Sequence, residues 1–123
     1  MITIPYQTTD WDRVNPTSHR GESGEATWQT LQFGQLRMRK VTLSKNYKAD
    51  HWCTKGHITY CLEGEFTSEL SDGTKHVLKA GMSYQVSDGQ SVHRSNSVNG
   101  ATMLILDGEF LQEPKPNINP WRM

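Results

Sequence analysis

The chain has 123 residues, with 13 Lys and Arg against 13 Asp and Glu and a sequence pI near 7.0. That length leaves room for one core, so residues 1–123 are expected to form a single domain, and the balanced charge gives no basic footprint for nucleic acid or an anionic membrane. No apolar run approaches the roughly 18 residues of a membrane span, the first ten residues lack a leader's basic and apolar regions, and two cysteines are too few for a disulfide scaffold; a cytoplasmic setting is expected.

Thr8-Thr9-Asp10 stands before Trp11 as the cap of a short helical turn, within a segment, residues 1–23, expected to cover the rest of the fold. From Gly24 onward, turn signals containing glycine recur at short intervals with β-rich runs between them, and no stretch keeps a period of 3.6. Ala26 to Phe33 and Leu36 to Leu43 flank Gly34-Gln35, which suits a type II′ hairpin. In the second run the apolar phase moves from Leu36 and Met38 to Val41 and Leu43, which predicts a bulge near Arg39 or Lys40. Glu65 to Leu70 alternates, turns at Ser71-Asp72-Gly73-Thr74 and returns through Lys75 to Lys79. Met82 to Ser87 is a further strand, and Thr102 to Asp107 reads as a strand buried on both faces. Short, evenly spaced strands of this kind hide their edges by closing on themselves, so the predicted class is an all-β antiparallel barrel or small jelly roll. Residues 113–123 carry three prolines and read as a polar tail on which Trp121 is the one docking candidate.

Chemistry concentrates in two short stretches, Asp50-His51-Trp52-Cys53-Thr54-Lys55-Gly56-His57 and Ser91-Val92-His93, both beside glycine-marked turns. On a strand His51 and Cys53 would share a face, and Lys55-Gly56 can turn the chain so that His57 approaches from the next strand. Imidazole and thiolate donors that converge suit a borderline divalent ion, so His51, Cys53, His57 and His93 are the candidate ligands. Cys53 has an alternative, a bridge to Cys61, although Cys61 reads better as a core thiol. One of Tyr84 and Gln85 must point inward, where it would meet a metal-bound water or a substrate. Lys55 is either a solvated turn residue or an attractor of an anionic ligand. His19, in a polar loop, and His76, on the outer half of a hairpin, read as solvated. Trp52, Ile58 and Tyr60 fall opposite the ligands and form an apolar outer surface that needs covering.

These residues resemble the metal motifs of the cupins. The first motif of that family has two histidines one residue apart, a glutamate, and a glycine after six intervening residues; here it is written His51-x-Cys53-x3-His57-x6-Gly64, with Cys53 and His57 in place of the second histidine and the glutamate. Gly81, Gly89 and His93 follow the order of the second motif, with Ser87 where proline is usual and one extra residue before the histidine. The chain is also similar to an uncharacterised cupin subgroup named for an Asp-His-Cys-Trp motif, represented by Asp50-His51-Trp52-Cys53. The resemblance implies a cupin barrel, one divalent transition metal, a small-molecule ligand and a homodimer. A metal-dependent oxygenase or isomerase, a non-catalytic binding module and a purely structural metal site all remain open at this point. The thiolate and the extra imidazole soften the site and favour zinc, iron or nickel over manganese. Three neutral histidines and one thiolate would leave a divalent ion with about one positive charge, which favours an anionic further ligand.

Overall fold

A computed structural model describes residues 3–112; the proline-rich tail and Trp121 lie outside the described residues. Asp10 caps a single 3-10 turn, Trp11–Arg13, by accepting a hydrogen bond from the Asp12 backbone N–H. Nine strands follow: β1 (Pro16–Arg20), β2 (Glu25–Phe33), β3 (Leu36–Leu43), β4 (Tyr47–Lys48), β5 (His57–Leu70), β6 (Lys75–Lys79), β7 (Ser83–Val86), β8 (His93–Ser97) and β9 (Ala101–Gly108). All pair antiparallel in the order β1-β2-β3-β9-β5-β8-β4, with β6 and β7 also on β5.

Strand β5 gives the sheet its curl. Its first half pairs with β7 and β9, its second half with β6 and β8. Between the halves the register shifts at Cys61/Glu63, and the inward set passes from His57, Thr59 and Cys61 to Phe66 and Ser68. Gly64, the motif glycine, makes this possible: its φ is +73°, and a Cβ there would stand 2.4 Å from the Gly100 carbonyl oxygen. The two halves thus serve two walls of one barrel, and the core between them comprises Ala26, Val41, Leu43, Cys61, Phe66, Leu78, Ala101, Met103 and Ile105.

Three local expectations are corrected. No bulge interrupts β3, whose pairing with β2 and β9 runs unbroken from Leu36 to Leu43. The apparent change of phase arises because Arg39, 5% exposed, continues the inward set of Val41 and Leu43, while Leu36 and Met38 face outward. Strand β9 is buried on one face only: Ala101, Met103, Ile105 and Asp107 are buried, and Leu104 and Leu106 are half-buried on the other. His19 lies not in a loop but on β1, its ring stacked on Trp28 at 3.7 Å between centroids. Residues 16–20 add an edge strand to β2, and the 3-10 turn before them is held where the Gln29 side-chain amide donates to the Trp11 and Val14 carbonyls.

Candidate metal centre

Each wall of the barrel contributes one histidine. His57 opens β5, and Val86 of β7 is its register partner; His93 opens β8, opposite Leu70 of β5. Cys53 stands outside the named strands, tied to His93 by an isolated bridge in which each backbone N–H donates to the other's carbonyl, at 2.7 and 3.0 Å. The fixed point of the loop is therefore Cys53 itself. Gly56 is buried, and a Cβ there would meet the Val86 carbonyl at 2.5 Å; its N–H donates to Asp88 at 2.6 Å, so the chain can enter β5 at this point only without a side chain.

Cys53, His57 and His93 offer ligand atoms that all lie within 4.8 Å of one another, and the Cys53 Sγ to His57 Nε2 distance is 3.6 Å. Donors at ordinary zinc distances on a tetrahedral ion stand about 3.5 Å apart, so the spacing fits. The second ring nitrogens fix the tautomers. His57 Nδ1–H donates to Asp107 Oδ2 at 3.0 Å and His93 Nδ1–H to the Ser91 carbonyl at 3.2 Å, which turns both Nε2 atoms toward Cys53. His93 Nε2 is buried with no hydrogen-bond partner, as an unfilled ligand position would be. The residues present fit a divalent transition metal.

His51, the fourth residue singled out by spacing, lies apart from these three. It is exposed, its Nδ1 is 2.6 Å from Asp50 Oδ1, and it lines the cavity onto which the three donors open. The two-residue period that placed it beside Cys53 holds only along a strand, and residues 49–56 carry no continuous ladder. Asp50 accordingly turns toward His51. Tyr84 is the inward member of its pair, with its ring 5.9 Å from that of His93, and Gln85 is exposed beside Ser83. Trp52 faces outward, beneath the Arg94 guanidinium at 4.3 Å. Cys61 is fully buried in the core, and both cysteines are free. His76 is exposed.

The structure adds three residues that sequence reading missed. Asp107, 4% exposed, accepts from Arg37 Nε and Nη2 at 2.8 and 2.9 Å, from Arg39 Nη2 at 2.8 Å and from His57. Burial alone would raise its carboxyl, but the His57 and Arg37 hydrogen bonds and the arginine charges outweigh it and hold the group well below the usual carboxylate range. The signal was present: Asp107 shares the inward phase of Met103 and Ile105, and Arg39 that of Val41 and Leu43.

Burial pushes the Cys53 thiol up, but the His57 and His93 imidazoles beside it prevail and bring it down to about 5. His57 responds in the opposite sense: burial lowers it, and the bonds to Asp107 and Cys53 raise it above its ordinary value. A metal ion has to displace the protons that these two groups hold. Metal affinity is therefore expected to fall about tenfold per pH unit once pH drops through the raised His57 value, and more steeply below about 5 where the thiol also protonates. Titration with a chromophoric chelator across this range checks the sign; an affinity that rises or stays flat on acidification contradicts the ligand set.

The donors open onto a cavity of about 240 Å³, whose lining includes Trp28, Arg39, Val41, Tyr84, Met103 and Ile105. No protein-family model matches the chain, and no curated protein matches it in sequence. Solved structures do. An RmlC-like cupin from Shewanella frigidimarina is 21% identical with TM-score 0.65, over 85% of this chain and 91% of that one. Ectoine synthase from P. lautus is 14% identical with TM-score 0.69, over 96% and 99%. A predicted oxalate decarboxylase from Thermotoga maritima is 14% identical with TM-score 0.70, over 83% and 99%. The chain is a small protein of the cupin fold, an antiparallel β-barrel with a Cys-His-His cluster able to hold a metal ion inside it.

Proposed function

We propose that the protein is a metal-dependent enzyme of oxygenase or isomerase type acting on a small organic molecule. Cys53, His57 and His93 hold one zinc, iron or nickel ion, and His51 completes the ligand set from the cavity wall. The observation that carries this reading is that the cluster opens onto a cavity, where six-coordinate iron or nickel held by these four ligands keeps two positions free, whereas four-coordinate zinc would be closed. The enzymes among the similar folds, ectoine synthase and the predicted oxalate decarboxylase, support it by analogy. The metal would supply Lewis-acid or redox chemistry at the cluster. The chain's own residues orient the two imidazoles through Asp107 and the Ser91 carbonyl and wall the cavity with Tyr84 and Trp28. Two free cysteines suit reducing surroundings, which supports a cytoplasmic setting.

Elemental analysis of protein purified without a histidine tag is expected to give one transition metal per chain. With iron or nickel, added azide or a carboxylate should shift the thiolate-to-metal charge-transfer band. A cobalt-substituted spectrum indifferent to saturating anions would leave a non-catalytic, structural site in its place.

The proposal extends to assembly. Leu31, Met38, Leu106 and Ile58 form one row across the outer face of β2, β3, β9 and β5, and Leu104 and Tyr60 are neighbours in the next. Tyr60 is 45% exposed, and the side-chain hydrogen bonds that tie the first twenty residues to this face end on Glu25 and Gln29 of β2. A second copy of the chain is the occupant such a row suits. Light scattering at micromolar concentration should give a dimer mass, reduced to a monomer by Leu104→Glu; a monomer in the unaltered protein refutes it.

A further inference from the structure

The inward side chains form layers down the barrel. Asp107 and Arg37 pair in register beside His57; one layer below, Arg39, Ile105, Thr59 and Tyr84 are aligned across β3, β9, β5 and β7; below that come Val41, Met103 and Cys61. Among the described residues, three buried side-chain polar atoms have no hydrogen-bond partner: Arg39 Nε, Thr59 Oγ1 and His93 Nε2. Two belong to residues lining the cavity, one at the metal cluster and one in the layer beneath it. Arg39 spends one donor, Nη2, on Asp107, and its guanidinium lies 4.4 Å from the Trp28 ring. A buried guanidinium with an idle N–H is costly unless something absent from the chain accepts from it.

Charge points the same way. Asp107 is the buried carboxylate that meets Arg37 and Arg39, so this network keeps one positive charge before any metal is counted. Exposed Lys55 adds another cation to the lining. We infer that the cavity takes a small organic carboxylate, held by Arg39 in the layer below the metal cluster, with its apolar body on Val41, Met103 and Ile105. This rests on the proposed function and names the ligand class for the same site. A cavity of about 240 Å³ suits short mono- or dicarboxylic acids. A phosphate is disfavoured, since its oxygens need several donors and the lower wall is apolar. The planar guanidinium, by contrast, matches a carboxylate in shape and charge.

The test is calorimetric titration of the full chain, metal-free and zinc-loaded, with acids from acetate to glutarate, the corresponding amides, and inorganic phosphate. The best carboxylate should bind at least about tenfold more tightly than its amide, a difference of 1.4 kcal/mol. The metal-free arm decides, because there no ion can take the carboxylate. Arg39→Gln should bring the ratio near one while zinc stoichiometry is unchanged, and Arg39→Lys, which keeps the charge beside Asp107, should lower it less. Equal binding of acid and amide by the metal-free wild type overturns the inference, whether or not the variants fold. So does tighter binding of phosphate, the absence of carboxylate binding at millimolar concentration, or a ratio that survives in Arg39→Gln. If zinc fails to bind while the ratio holds, the metal centre falls and the carboxylate site stands.

Discussion

Cys53→Ser and His57→Ala are each expected to abolish stoichiometric metal binding, while His76→Ala, on an exposed strand position, retains it. The three donors act as a unit because each contributes one ligand atom to the same small volume, and loss of one leaves too few to strip an ion of water. The stability readout follows by linkage. At free metal about a thousandfold above the dissociation constant, binding to the folded chain alone stabilises it by about 4.1 kcal/mol. At roughly 4 °C per kcal/mol for a chain of this size, the metal-dependent rise in Tm is about 16 °C in the wild type and should vanish in the two variants. His51→Ala separates the proposed fourth ligand from the core three: affinity drops, but one equivalent still binds at saturation. Equal metal content in Cys53→Ser, His57→Ala and His76→Ala would end the assignment.

Asp107→Asn has the largest expected effect on the fold itself. The carboxylate accepts four hydrogen bonds, from two arginines and His57, in a site where its own exposure is 4%. Its removal leaves buried Arg39 and half-buried Arg37 facing each other without a counter-charge. Breaking a buried pair by deleting one partner costs about 3–5 kcal/mol, so Tm should fall by well over 10 °C. The same change frees His57 Nδ1 from the group that sets its tautomer, and metal affinity should drop by about 10- to 100-fold. Because the Asp107 carboxyl is held below the usual carboxylate range, its contribution is fully present above the ordinary carboxylate pKa and is lost only as pH falls into strong acid. The stability gap between wild type and Asp107→Asn should therefore persist at pH 4, measured by urea denaturation. A variant with wild-type Tm and wild-type metal affinity would mean that the arginines do not depend on this carboxylate.

The sequence by itself determined the barrel, because its strand runs and turn residues are local signals. The Gly34-Gln35 hairpin, the Ser71 to Thr74 turn and the runs that became β2, β3, β6, β7 and β9 stand where composition and period put them. It also singled out Cys53, His57 and His93, since glycine-marked turns bring both stretches to strand starts. What it could not supply was any relation set by pairing between distant strands. Arg39 was read as the mark of a bulge because an arginine in an inward position makes sense only when a carboxylate 68 residues away is known to face it. Asp107 looked like the end of a strand, and its role beside His57 rests on the register that β9 keeps with β3 and β5. His51 and Cys53 share a parity argument that fails where the chain leaves the ladder, so tertiary structure puts one in the cluster and the other on the cavity wall. Local periodicity decides which face a side chain takes within its own strand; which charged groups meet inside the barrel is decided only when the sheet closes and desolvation forces each of them to find a partner.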